Sequence, residues 1–138
     1  MNWFIWALLS AFFAGLTAIL AKVGVENVNS NLATAIRTVV ILIFAWAVVL
    51  FTDSQPISTI GKRSWSFLIL SGIATGLSWL CYFRALQLGE ASQVAPVDKL
   101  SVVVAIVLAA IFLHERVTWH HWAGGLLIFT GAVVLAYA

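Results

Sequence analysis

The stretch VAPVDKLSVVVAIVLAAIFL, Val94–Leu113, decides what kind of protein this is. From Leu100 onward it is almost wholly apolar, yet it opens on Pro96 and an Asp98-Lys99 pair. The apolar part alone, about 14 residues at about 1.5 Å each, covers about 21 Å and falls short of a hydrocarbon core about 30 Å thick. Read back to Val94, the segment reaches about 20 residues and can cross. The charged pair then lies about 6–8 Å inside the apolar slab.

The rest of the chain supports a crossing. Of 138 residues, 63% are hydrophobic and 9% charged, with a mean hydropathy of +1.08. Soluble domains carry about 25% charged residues, so this chain has too little polar surface for water and reads as an integral membrane protein. Four further tracts are long and apolar enough to span, 3–21, 32–51, 65–84 and 119–138, beside 94–113. Unsatisfied backbone is prohibitive in lipid, and the unalternating runs exclude a β-barrel, so all five are helices. The expected fold is an all-α bundle of five transmembrane helices in a single domain covering 1–138. Membrane lipid is its surroundings.

Several classes of function fall away. The net charge of +2 and the lack of any Lys/Arg run argue against nucleic acid. The single cysteine, Cys81, permits no internal disulfide or metal pair and reads as a small apolar filler. No metal-ligand or nucleophile spacing points to catalysis, and no cofactor is implied. The start, Met1-Asn2-Trp3-Phe4, lacks a basic n-region, so the first segment is expected to be a retained helix.

Alternate crossing gives two sides. Side one holds the start of the chain, the Thr52–Ser64 loop and the His114–His121 loop; side two holds Lys22–Asn31, Arg84–Gln93 and the C-terminal residues. Basic residues set orientation by their bias. Here Lys62, Arg63 and Arg116 stand against Lys22, Arg37, Arg84 and Lys99, a near-even split that permits either orientation, or both. Trp3, Trp6, Trp46, Trp65, Trp119 and Trp122 fall toward side one and read as interfacial anchors. His114, His120 and His121 read as interfacial residues on the same side.

Arg37 sits a few positions into the second span, at about the depth of Asp98 and Lys99 and on the same side. Intramembrane charges cost at least about 2.5–3.5 kcal/mol each at the midplane and normally face a partner or a water-filled cavity. A short, broken-looking span is the usual pointer to a transport site. Arg37, Asp98 and Lys99 are therefore expected to line a polar pocket open to side two, with Lys22 at its rim and Trp79 and Tyr82 as an aromatic wall. The structural alternative makes Arg37–Asp98 a helix clamp, with Lys22 and Lys99 snorkelling to headgroups, and Trp79 and Tyr82 packing residues. Gly72-Ile73-Ala74-Thr75-Gly76, and the stripe Ala7, Ala11, Gly15, would serve internal packing or a dimer seam.

The chain resembles single-repeat EamA-type members of the drug/metabolite transporter superfamily. The resemblance rests on Ala21-Lys22-Val23-Gly24, Ala35-Ile36-Arg37, Tyr82-Phe83-Arg84-Ala85-Leu86 with Gly89, Val94-Ala95-Pro96, Phe112-Leu113-His114-Glu115-Arg116, and Gly125-Leu126-Leu127-Ile128 with Gly131. It implies a carrier for small metabolites or drug-like molecules in a prokaryotic plasma membrane. Typical members hold two such repeats in opposite orientation, so one repeat implies a homodimer, with an antiparallel pair reproducing the inverted halves. Two departures stand out. Val102 occupies a position where many relatives have a second proline, and Asp98-Lys99 replaces small polar residues. The competing reading is a non-transporting membrane subunit or assembly factor.

Overall fold

A computed structural model describes residues 2–138. The described residues form helices and connecting turns, with no strand. Five segments are long and apolar enough to cross a membrane: Trp3–Gly24, Ser30–Phe51, Lys62–Leu88, Ala91–Phe112 and Trp119–Ala136. The first three are α1, α2 and α3. The fourth is divided into α4 (Ala91–Asp98) and α5 (Ser101–Phe112), and the last is α6. A short 3₁₀ turn, Ile57–Thr59, lies between α2 and α3.

By its contacts the chain divides into a terminal unit, Met1–Val23 with Leu88–Ala138, and a central unit, Gly24–Gln87. In the terminal unit α4 and α5 both pack against α6. Gly125 on α6 faces α5, and a Cβ placed there would meet Ile106 Cδ1 at 3.6 Å, an ordinary contact distance. A small apolar cleft lies beside that contact, lined by Val103, Ile106, Trp122 and Phe129 with His121.

Helix ends are set by local chemistry. Asn29 caps α2, its Oδ1 accepting from the N–H groups of Asn31 (3.0 Å) and Leu32 (3.1 Å), which supplies partners for two otherwise orphan donors. Thr118 caps α6 in a box with His121, whose Nδ1 accepts the Thr118 N–H at 3.1 Å. At the end of α5, His114 takes a left-handed φ of 54° and the Glu115 N–H donates to Ala109 O at 3.2 Å. The donor lies six residues beyond the acceptor, one residue longer than the six-to-one bond of a Schellman ending.

The polar residues expected in the linkers are partly helical. α3 begins at Lys62 and runs on through Arg84 and Gln87 to Leu88, stopping at Gly89. The fourth segment begins at Ala91, with Glu90 at the cap position, so Pro96 stands inside α4 and not in the first turn. A proline there removes the donor that the Ser92 carbonyl would otherwise receive. The helix then tightens: the Lys99 N–H donates to Pro96 O and the Leu100 N–H to Val97 O, both at 3.0 Å. Val102 and Val103 donate in the same three-residue pattern to Lys99 and Leu100. The span is thus interrupted at Lys99-Leu100, although Val102 is not a proline.

Large apolar side chains are mostly exposed on all five spans, as lipid-facing residues are, and buried positions are few. They are Ala18 and Ala21 on α1, Val25 after it, Ser30 and Thr34 at the start of α2, Phe83 and Leu86 late in α3, and Gly125 and Ala132 on α6. On α1, α2 and α3 these all fall in the part of the helix nearest side two. Thr34 is satisfied within its own helix, its hydroxyl donating to Ser30 O at 2.9 Å.

Candidate functional site

The sequence-predicted residues fall into two groups, one in each unit. In the central unit α2 carries Arg37 and α3 carries Trp79 and Tyr82, and the three come together. The Arg37 guanidinium carbon lies 4.6 Å from the centroid of the Trp79 ring and 5.3 Å from that of Phe83. The Tyr82 ring meets Phe83 edge-on, with centroids 6.4 Å apart. Trp79 and Phe83 are four positions apart on α3, so both rings share one face. A cation over an aromatic face gains about 0.5–2 kcal/mol, more as water is excluded.

Phe83 is a site residue that sequence reasoning passed over. It is buried, and nothing in the pattern distinguishes it from a packing phenylalanine until Arg37 is seen above it. Gln87, one turn further on, was missed because it lies in a stretch read as linker. Its Nε2 donates to the carbonyls of Val28 and Val25, the latter at 3.1 Å, and its Oε1 accepts from Arg84 at 3.0 Å. One side chain therefore holds the α1–α2 turn to α3 and occupies an Arg84 N–H. Cys81, on α3, is exposed and lies with Asn29, Asn31 and Arg84 along a shallow groove.

In the terminal unit Asp98 and Lys99 stand at the interruption of the fourth span. They form an ion pair of 3.7 Å and both are substantially exposed. Counted from Ala91 at about 1.5 Å per residue, Lys99 is about 12 Å along the span. Adjacent residues on a regular helix point about 100° apart, so pairing between them suits a local departure from regularity. Lys22, at the end of α1, donates from Nζ to the Gly89 carbonyl at 2.8 Å. That bond ties α1 to the turn before α4 and gives the ammonium a backbone acceptor near the side-two boundary.

The small-residue motifs separate in the same way. A Cβ at Gly72, Gly76 or Gly15 would meet nothing within 4 Å, whereas Gly125 is in contact. The GxxxG element therefore makes no close contact within its own unit. Among the described residues no group of His, Cys, Asp and Glu could hold a metal ion.

Comparison with known proteins agrees with this membrane architecture. The description "EamA-like transporter family" matches residues 1–137. A Sinorhizobium protein named uncharacterized transporter in cobO 3'region is 54% identical over 136 residues, covering 98% of this chain and 96% of that one. The probable 4-amino-4-deoxy-L-arabinose-phosphoundecaprenol flippase subunit ArnE of Aeromonas salmonicida is 31% identical over 81 residues, 59% of this chain and 71% of its own. The uncharacterized transporter YxxF of Bacillus subtilis is 29% identical over 131 residues, 92% of this chain but only 40% of its own length. No solved structure matches. With the family matched from end to end over five membrane-crossing segments, the chain belongs to the EamA-like transporter family, as a single-repeat, multi-pass membrane transporter of the drug/metabolite transporter superfamily in the plasma (inner) membrane.

Proposed function

We propose that the chain is a secondary carrier that moves a small metabolite or drug-like molecule by alternating access as an antiparallel homodimer. The observation that carries this reading is the interrupted fourth span, with Asp98 and Lys99 at the break about 12 Å along it. Broken spans with charges at membrane depth belong to cavities, because irregular backbone and ionised groups both need a hydrated or polar neighbour. In this reading Arg37, Asp98 and Lys99 line the substrate pocket, Trp79 and Tyr82 form its aromatic wall, and Lys22 braces its rim. The carrier rocks between a state open to side two and a state open to side one, each copy supplying half of the path.

Two observations support pairing. The chain matches 40% of the length of the longer Bacillus relative, as one repeat of a duplicated protein would. The near-even basic residues let two copies insert in opposite senses. Tags on both termini, read for sidedness in one cell population, test this; each tag reporting from both sides is expected, and a single orientation would exclude the antiparallel pair.

For transport, solute distributions are compared between cells expressing the chain, an equally abundant K99E variant, and neither. Solutes that redistribute with the wild-type chain and not with K99E are expected; identical profiles in all three would end the carrier reading. A second reading comes from the Aeromonas relative, which is named a flippase subunit. It makes this chain one part of a complex handling a lipid-linked substrate, and predicts co-purification with a different membrane protein.

A further inference from the structure

Arg37 lies over two aromatic rings, its guanidinium carbon 4.6 Å from the Trp79 centroid and 5.3 Å from that of Phe83. The rings take none of the lone-pair-seeking N–H donors, five in number, that a guanidinium carries in its plane. Among the described residues the ion pair is Lys99–Asp98, so no carboxylate is paired with Arg37. Gln87, one turn beyond Phe83 on α3, is already committed to Arg84, Val25 and Val28. No buried side-chain nitrogen or oxygen among the described residues lacks a partner, so the unbonded donors of this half-buried arginine are reachable from outside the chain.

Depth makes the arrangement informative. Arg37 lies about 10 Å along α2 from Ser30, and Trp79 about 13 Å from the end of α3 at Leu88. An unrestrained arginine at that level would snorkel toward the headgroups. Here two rings hold the cation, and the planar fork of a guanidinium is the geometry that takes both oxygens of a carboxylate or phosphate at once. An intramembrane guanidinium that no carboxylate pairs calls for an anion from a ligand.

We infer that Arg37, held over Trp79 and Phe83, is a recognition point for an oxyanion, a carboxylate or phosphate group, carried by the molecule that enters the membrane-embedded site. The inference rests on the transport reading for its biological meaning but not for its test. The oxyanion belongs either to a solute or to a lipid headgroup.

The test uses the purified full chain in phosphatidylcholine nanodiscs. Inorganic phosphate is titrated at constant ionic strength and the intrinsic tryptophan fluorescence is followed. A saturable change is expected in the wild type, weakened at least about tenfold in R37Q, as loss of a charge-assisted bond predicts. R37K, which keeps the charge without the fork, should fall between, and W79F should remove most of the signal with the R37Q control still folded by circular dichroism. An R37Q titration equal to wild type, or no saturable change in wild type, overturns the inference. Should R37Q fail to fold, the R37K comparison decides alone, with equality to wild type counting against.

Repeating the wild-type titration in discs containing phosphatidylglycerol separates the sources. A strong shift to higher phosphate assigns the site to headgroups, and an unchanged curve assigns it to a solute; both support an oxyanion at Arg37. Flux is not measured, so a negative result alongside K99E-sensitive solute redistribution removes the oxyanion claim and leaves the carrier.

Discussion

His114 shows how a single backbone angle is imposed by what surrounds it. Its φ of 54° lets Glu115 reach back to Ala109 and close α5. A side chain bearing a Cβ loses about 1–2 kcal/mol in that region, and glycine loses nothing to sterics. H114G is therefore expected to unfold in detergent at a temperature equal to or above the wild type, and H114V to lose roughly 1–2 kcal/mol, measured by circular dichroism on heating. The residue motif Leu113-His114-Glu115-Arg116 marks a helix end in the sequence, but the angle does not show there because histidine, unlike glycine, does not announce it. Gln87 and Phe83 were hidden for a different reason: each matters through a partner, Val28 or Arg37, more than 40 positions away in the chain. Charge at depth is what the sequence does reveal, and Arg37, Asp98 and Lys99 stood out on that ground alone.

At the scale of elements, the spans themselves were readable because about 20 apolar residues cannot do anything else in a chain this poor in charge. The ends were less so. Arg84 and Gln87 look like linker, yet α3 absorbs them because Gly89 is the first residue that favours stopping. The fourth span starts earlier than its apolar content suggests, and this moves Pro96 from a harmless first-turn position into the body of α4. Contact between α5 and α6 gives a sharp check. A Cβ at Gly125 would sit 3.6 Å from Ile106 Cδ1, ordinary contact distance. G125A should therefore be tolerated within about 0.5 kcal/mol, whereas G125L overfills the seam and should cost about 1–3 kcal/mol. Thermal denaturation of the two variants in one detergent measures the difference; equal midpoints would mean that the two helices do not meet there.

For the whole molecule, the question is what the uncovered small-residue faces are for. Gly72 and Gly76 have open space where a Cβ would go, so a side chain begun there meets no close neighbour in its own unit. G76I is expected to leave the folded monomer and its thermal midpoint unchanged while reducing self-association, read by cross-linking in membranes. If G76I cross-links as the wild type does, the pairing seam lies elsewhere.

The sparse burial has a consequence for how this sequence tolerates change. Where a leucine faces acyl chains, valine, isoleucine or phenylalanine offers the hydrocarbon much the same surface, so most of the spans carry little positional information. A saturation library scored for expression should therefore accept apolar exchanges over long runs of α1, α2 and α3. Intolerance should gather at Ala18, Ala21, Thr34, Phe83 and Leu86, the enclosed positions near side two. Uniform sensitivity along the spans would mean instead that another protein covers surfaces assigned above to lipid.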